Sequence, residues 1–185
     1  MWPRFVTERT LGRRRLLGRR RSGTVTQGAT ATPEVQALLR VLAAGRDVAE
    51  MGTAYGETAA VMAETARSVV TVELDPERVA IARERLAGIA NVELLDGDAY
   101  ELLPGRGPFD LVFADGGIRQ HGAAAWETVL AMTAVGGLIV KDDLTPGRAV
   151  QGDAVREFLL RDPRLAATEI LVSPEMAVIV ASRLR

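Results

Sequence analysis

A chain of 185 residues with 48% hydrophobic content can bury one good core, so a single folded domain is expected. It has no cysteine, which excludes disulfides, thiolate metal sites and thiol nucleophiles and accords with a cytoplasmic location. The net charge of −1 hides an asymmetry: residues 1–21 hold eight arginines against Glu8, net +7, which leaves −8 on residues 22–185 and makes polyanion binding by that body unfavourable.

The basic arm, residues 1–21, is followed by no apolar run that would make its twin arginines an export signal, and no run in the chain approaches the ~20 residues of a membrane span. Three readings of the arm stay open: packing on the body or on a second subunit of a homodimer, a nucleic-acid contact, or a tail. Residues 22–32 are a polar linker, and the main domain spans residues 33–185. Thr32 is the expected N-cap of a helix opening at Pro33, with Val35, Leu38, Leu39 and Leu42 as its apolar stripe. Strand one is Asp47–Glu50. A glycine turn (Gly52, Gly56) leads into a helix over residues 57–67.

Ser68–Glu73 is strand two, followed by a helix from Pro76 to Leu86 with Asp75 as N-cap. Val92–Leu95 is strand three and Phe109–Ala114 strand four. A helix carrying Trp126, Val129, Leu130 and Ala134 leads to Gly136-Gly137 and strand five, Leu138–Lys141. A helix with Val155, Phe158 and Leu159 precedes a hairpin of Thr168–Val172 and Met176–Ser182. Strand and helix alternate five times before the hairpin. That pattern gives an α/β, doubly wound, mostly parallel seven-stranded sheet with an antiparallel C-terminal edge.

In such a sheet ligands bind beyond the carboxyl ends of the strands, and here those ends are acidic. The first turn is spaced G-x-x-x-G, not as the dinucleotide G-x-G-x-x-G, and Glu50 just before it would repel a phosphate at the helix N-terminus. A carboxylate there suits an ammonium or a sulfonium. No P-loop is present, and Lys141 is the single lysine, which argues against a kinase or ATPase.

Glu50-x-Gly52-x-x-x-Gly56 resembles motif I of class I S-adenosylmethionine-dependent methyltransferases, whose Rossmann-like fold matches the pattern from about residue 30 onward. The resemblance implies S-adenosyl-L-methionine as cofactor, held by Glu50, Gly52, Thr53 and Gly56 at the first turn. Glu73 would take the ribose hydroxyls, Asp98 the adenine amine, and Leu74 and Ala99 the adenine faces, with Asp115 at the reacting end.

Asp115 and the pair Asp142-Asp143 resemble the divalent-metal ligands of the catechol and caffeoyl-coenzyme A O-methyltransferases. That family has Asp-Asn at the second place, and a lysine where this chain has Ile118. Mg²⁺ or another divalent cation is therefore expected to hold a substrate hydroxyl. His121, the single histidine, is the candidate base beside Asp115, with Arg119 as an anion contact. Lys141, by strand alternation, is expected to point away from Asp142. The reading is O-methylation of a small hydroxylated substrate. The alternatives are an RNA or protein methyltransferase anchored by the arm, and a non-catalytic cofactor-binding scaffold.

Overall fold

The computed structural model describes residues 30–116 and 123–185. The basic arm, most of the linker, and Ile118, Arg119 and His121 lie outside the described residues. The elements run α1 Pro33–Leu42, β1 Asp47–Met51, α2 Glu57–Ala63, β2 Ser68–Glu73, α3 Pro76–Leu86, β3 Val92–Asp96, α4 Ala99–Leu102, β4 Phe109–Ala114, α5 Ala123–Met132, β5 Thr133–Leu144, α6 Ala154–Arg161, β6 Leu165–Leu171 and β7 Ala177–Arg183. The seven strands form one sheet in the order β3-β2-β1-β4-β5-β7-β6, parallel from β3 to β5, with β7 antiparallel to both β5 and β6. The doubly wound sheet with an antiparallel C-terminal hairpin is thus the fold observed.

Strand alternation sorts the core into two layers. Val48 on β1, Leu111 and Phe113 on β4 and Val140 on β5 pack with Val35, Leu39, Ala59, Met62 and Ala82 of α1–α3. Ala49, Met51, Val112 and Ile139 point the other way, onto Trp126, Val129 and Leu130 of α5 and Leu159 of α6. The Trp126 and Phe158 rings stack there, 5.7 Å between centroids.

The expected caps are in place. Thr32 accepts from the Val35 amide, and Asp75 from the Glu77 amide at 2.9 Å. Strand β6 begins at Leu165 rather than Thr168, and three further elements differ from the sequence expectation. Helix α2 stops at Ala63 rather than near residue 67, its last amides turning back onto Val61 and Met62. Helix α4 was not expected, although Asp98 and Glu101 carry the spacing of a capping box, and Asp98 accepts from the Tyr100 amide at 2.8 Å.

Strand β5 is the third difference: it begins at Thr133, through the segment read as helix end and glycine break. Pairing jumps from Phe109↔Thr133 to Leu111↔Leu138, so five steps on β5 face two on β4. Gly136, at φ +81°, and Gly137, where a Cβ would meet the Ala134 carbonyl at 2.8 Å, make that bulge possible.

Candidate active site at the strand ends

The loops after β1 and β4 are fastened to each other. The Gly116 amide donates to the Met51 carbonyl at 2.6 Å, and the Gly52 and Thr53 amides donate to the Val72 carbonyl. A Cβ at Gly52, φ +98°, would lie 3.3 Å from the Gly116 nitrogen, so backbone meets backbone only because both residues are glycine. This junction floors a cavity of about 440 Å³ open at the carboxyl edge of the sheet.

Of the residues expected to hold the cofactor, Gly52, Glu73, Leu74, Asp98, Ala99 and Asp115 line this cavity. Glu73 is buried and its carboxylate gathers the floor: Oε2 accepts from the Ala54 amide at 2.7 Å, and Oε1 from the Leu74 and Asp75 amides at 3.0 Å. Ala54 reaches it in a left-handed conformation, φ +48°. Leu74 is 61% exposed, an apolar side chain presented to an open wall. Across from it stand Ala99 and Tyr100, whose phenol is pushed up to about 12 by burial and by the Asp98 carboxylate. Tyr100 and Arg78 were missed in the sequence. The guanidinium of Arg78 lies 6.0 Å from the centre of the Tyr55 ring and 3.6 Å from Asp75.

Glu50, Thr53 and Gly56 do not line the cavity. Glu50 is one residue short of the strand end, on the face that packs under α1–α3, and it is fully buried opposite Thr71 on β2. Thr71 donates to its Oε2, and the Thr53 hydroxyl meets Thr71 in turn, so the threonines form a donor chain ending on the carboxylate. Oε1 has no partner among the described residues. Burial, opposed by the Thr71 bond and reinforced by Asp115, Glu73 and Asp142, raises Glu50 to about 8. Gly56 serves packing: at φ +82° it precedes α2, and a Cβ there would press on Leu86 and Ala82 of α3.

At the far end of the cavity the carboxylate oxygens of Asp115, Asp142 and Asp143 lie within 4.8 Å of one another. Lys141 does not point away from them, as alternation suggested. Its ammonium is 3.3 Å from Asp142 Oδ1 and 3.5 Å from Asp115 Oδ1. The ladder between β5 and β7 shifts register after Lys141, and Asp143 turns left-handed at φ +56°, so regular alternation ends here and the long stem curls back to the acids. Burial raises the Asp115 pKa against the pull of Lys141. Asp142 rises to about 7 through burial and the neighbouring Asp115.

Acids on nearly every wall, with Arg78 the one cationic lining residue, fit a cofactor that carries positive charge and no phosphate. The solved structures agree in fold. The chain is similar to cofactor-bound Rv0187 from MTB, at 28% identity and TM-score 0.71 over 84% of this chain and 82% of that one. It is similar too to the O-methyltransferase TomG from Streptomyces achromogenes, involved in tomaymycin synthesis and solved with S-adenosylmethionine, at 25% identity and TM-score 0.71 over 85% and 82%. The class is therefore that of the class I S-adenosylmethionine-dependent methyltransferases. The family described as methyltransferase domain matches residues 49–144, and the chain belongs to it.

Curated relatives include a protein-L-isoaspartate O-methyltransferase 2 of Anaeromyxobacter sp. (strain Fw109-5), 35% identical over 112 residues, 60% of this chain and 45% of that protein. A protein-L-isoaspartate O-methyltransferase of Synechococcus sp. (strain JA-2-3B'a(2-13)) is 35% identical over 63% of this chain and 42% of its own length. The matched part thus spans less than half the length of these relatives.

Proposed function

We propose that the protein methylates an oxygen of a small hydroxylated acceptor, with S-adenosyl-L-methionine in the cavity between β1, β2 and β3. The observation that carries this reading is the position of Asp115, which lines the cofactor cavity and also belongs to the acidic mouth beyond it. In the bound state the cofactor supplies a methyl group on a sulfonium. An acceptor oxygen lone pair forms the new C–O bond as the C–S bond breaks, its electrons leaving with sulfur.

The chain's own residues orient and neutralise. Glu73 keeps one lone-pair site beside its three backbone donors, enough for one ribose hydroxyl. Leu74 and Ala99 are the adenine walls and Asp98 the contact for its amine. Asp115 accepts the acceptor's proton, with His121 as second candidate base in the segment that follows it. A second cavity, between Asp143, Arg148 and Arg156, adjoins the mouth and is the entry side for the acceptor.

The isoaspartyl relatives favour a second reading, in which the acceptor is a carboxylate on a protein. Electrostatics favours the first. A carboxylate acceptor would enter among Asp115, Asp142 and Asp143, where among the described residues Lys141 is the cation paired with these acids, whereas a hydroxyl enters neutral. A divalent ion was the expected solution to that crowding. The carboxylate donors are of the kind that hold one, but the Lys141 ammonium already pairs with Asp115 and Asp142.

The test is transfer of labelled methyl from S-adenosylmethionine to catechol-type phenols, to an isoaspartyl peptide and to RNA, each with and without EDTA. Labelling of the phenol alone is the expected result. Labelling of the peptide alone would replace this reading with the second. Labelling of RNA would assign the basic arm as anchor, and cofactor binding without any transfer would mark a scaffold.

A further inference from the structure

Resting on the reading of this mouth as the transfer centre, we propose that Lys141 is a built-in counter-cation. Its ammonium, paired with Asp115 and Asp142, takes the place of a divalent ion at the cluster they form with Asp143, so that the centre works without metal and Asp115 is held by a side chain. Asp142 is buried, and a buried carboxylate needs a compensating charge close by. Every ion pair to Asp115 and Asp142 among the described residues comes from Lys141. The ammonium also lies 3.5 Å from the Asp115 carbonyl oxygen, a third contact on the same two residues.

A divalent ion bridging these carboxylates binds at roughly 2.0–2.6 Å from each oxygen. An ion so placed would sit within a few ångströms of the Lys141 nitrogen, and the two like charges exclude each other. The fold commits the lysine to this place. Its backbone is fixed by pairing with Ile179 on β7, the register shifts beyond it, and the Asp142 carboxylate next along the chain pairs with its ammonium. Lys141 is a positioning residue, acting through Asp115.

Mn²⁺ titration of the full-length protein, with free ion read by electron paramagnetic resonance, tests this without any acceptor, so its failure is distinct from failure of the transfer reading. Wild type and Lys141→Arg are expected to bind no Mn²⁺ in the micromolar range. Lys141→Met is expected to bind it at least about tenfold more tightly than wild type. Its melting temperature should fall in EDTA and recover with Mn²⁺, and Asp142→Asn in the same background should remove the gain. Micromolar Mn²⁺ binding by wild type overturns the proposal, as does a folded Lys141→Met with no gain. Should Lys141→Met not fold even with Mn²⁺, the double variant Lys141→Met, Asp142→Asn decides. Recovery of folding supports the pairing, and continued failure overturns it.

Discussion

Glu73 and Glu50 are both acids at the ends of neighbouring strands, yet their surroundings give them opposite uses. Glu73 is wired to three amides across two loops, so it shapes the cavity before it touches any ligand. Glu73→Ala should therefore abolish most of the cofactor-induced melting shift and also cost on the order of 2–3 kcal/mol in the ligand-free protein, since it strands amides that donate to a charged group. Denaturant unfolding with and without cofactor separates the two effects. Glu50 faces a packed layer, and its pKa in the folded chain, about 8, stands above its ordinary value of 4.5. The folded state thus holds a proton that the unfolded chain has released. This group's favourable contribution is complete below about 4.5 and is lost as pH rises toward 8. Stability measured from pH 5 to 9 should fall with pH, and Glu50→Gln should flatten that fall. A weaker slope should remain from Asp142, raised in the same direction.

At the scale of elements, the parts legible in the sequence were those with a simple period. Strands β2 and β4 and helix α3 run between the residues expected, because alternation and Asp75-Pro76 capping signal them locally. Strand β5 is longer than its sequence pattern suggests, since its bulge depends on β4 lying alongside, which no local pattern reports. The same irregularity hid the role of Lys141: alternation is a rule for regular strands, and the register breaks one residue later. The acids lining the cavity were legible as strand-end residues. Tyr100 and Arg78 were not, because nothing in a helix face shows which side chain will border a cavity.

Helix α6 carries another tertiary feature the sequence concealed, a buried arginine. Arg156 makes a two-pronged pair with Glu169 on β6 at 2.8 and 2.9 Å, pairs with Asp153 at 2.7 Å and donates to the Thr145 carbonyl at 2.8 Å. It thereby ties the loop between β5 and α6 to the sheet edge. Arg156→Met leaves Glu169 and Asp153 without their partner and should cost on the order of 3 kcal/mol. Hydrogen exchange should quicken across residues 145–153, on the entry side of the mouth, while the turn at Gly52 keeps its protection.

Across the whole molecule, the cofactor cavity is assembled from the N-terminal half of the sheet, and the acidic mouth from the loop after β4 and the last residues of β5. The net +7 of residues 1–21 balances most of the −8 carried by the remainder, and the acids that form both sites all lie beyond residue 49. Cofactor binding and the arm should then be separable. At a hundredfold excess over Kd, S-adenosylmethionine or its homocysteine product should stabilise the chain by about 2.7 kcal/mol. For a domain of this size that is a melting shift of roughly 5–10 °C. Deleting residues 1–21 should leave that shift intact, because every described residue of the cavity remains. If the arm contacts RNA, the full chain should bind it with a steep salt dependence that the shortened chain loses. A cofactor shift that vanishes with the arm would show instead that the arm completes the cavity, and the acceptor side would then have to be sought between the arm and the loop after β4.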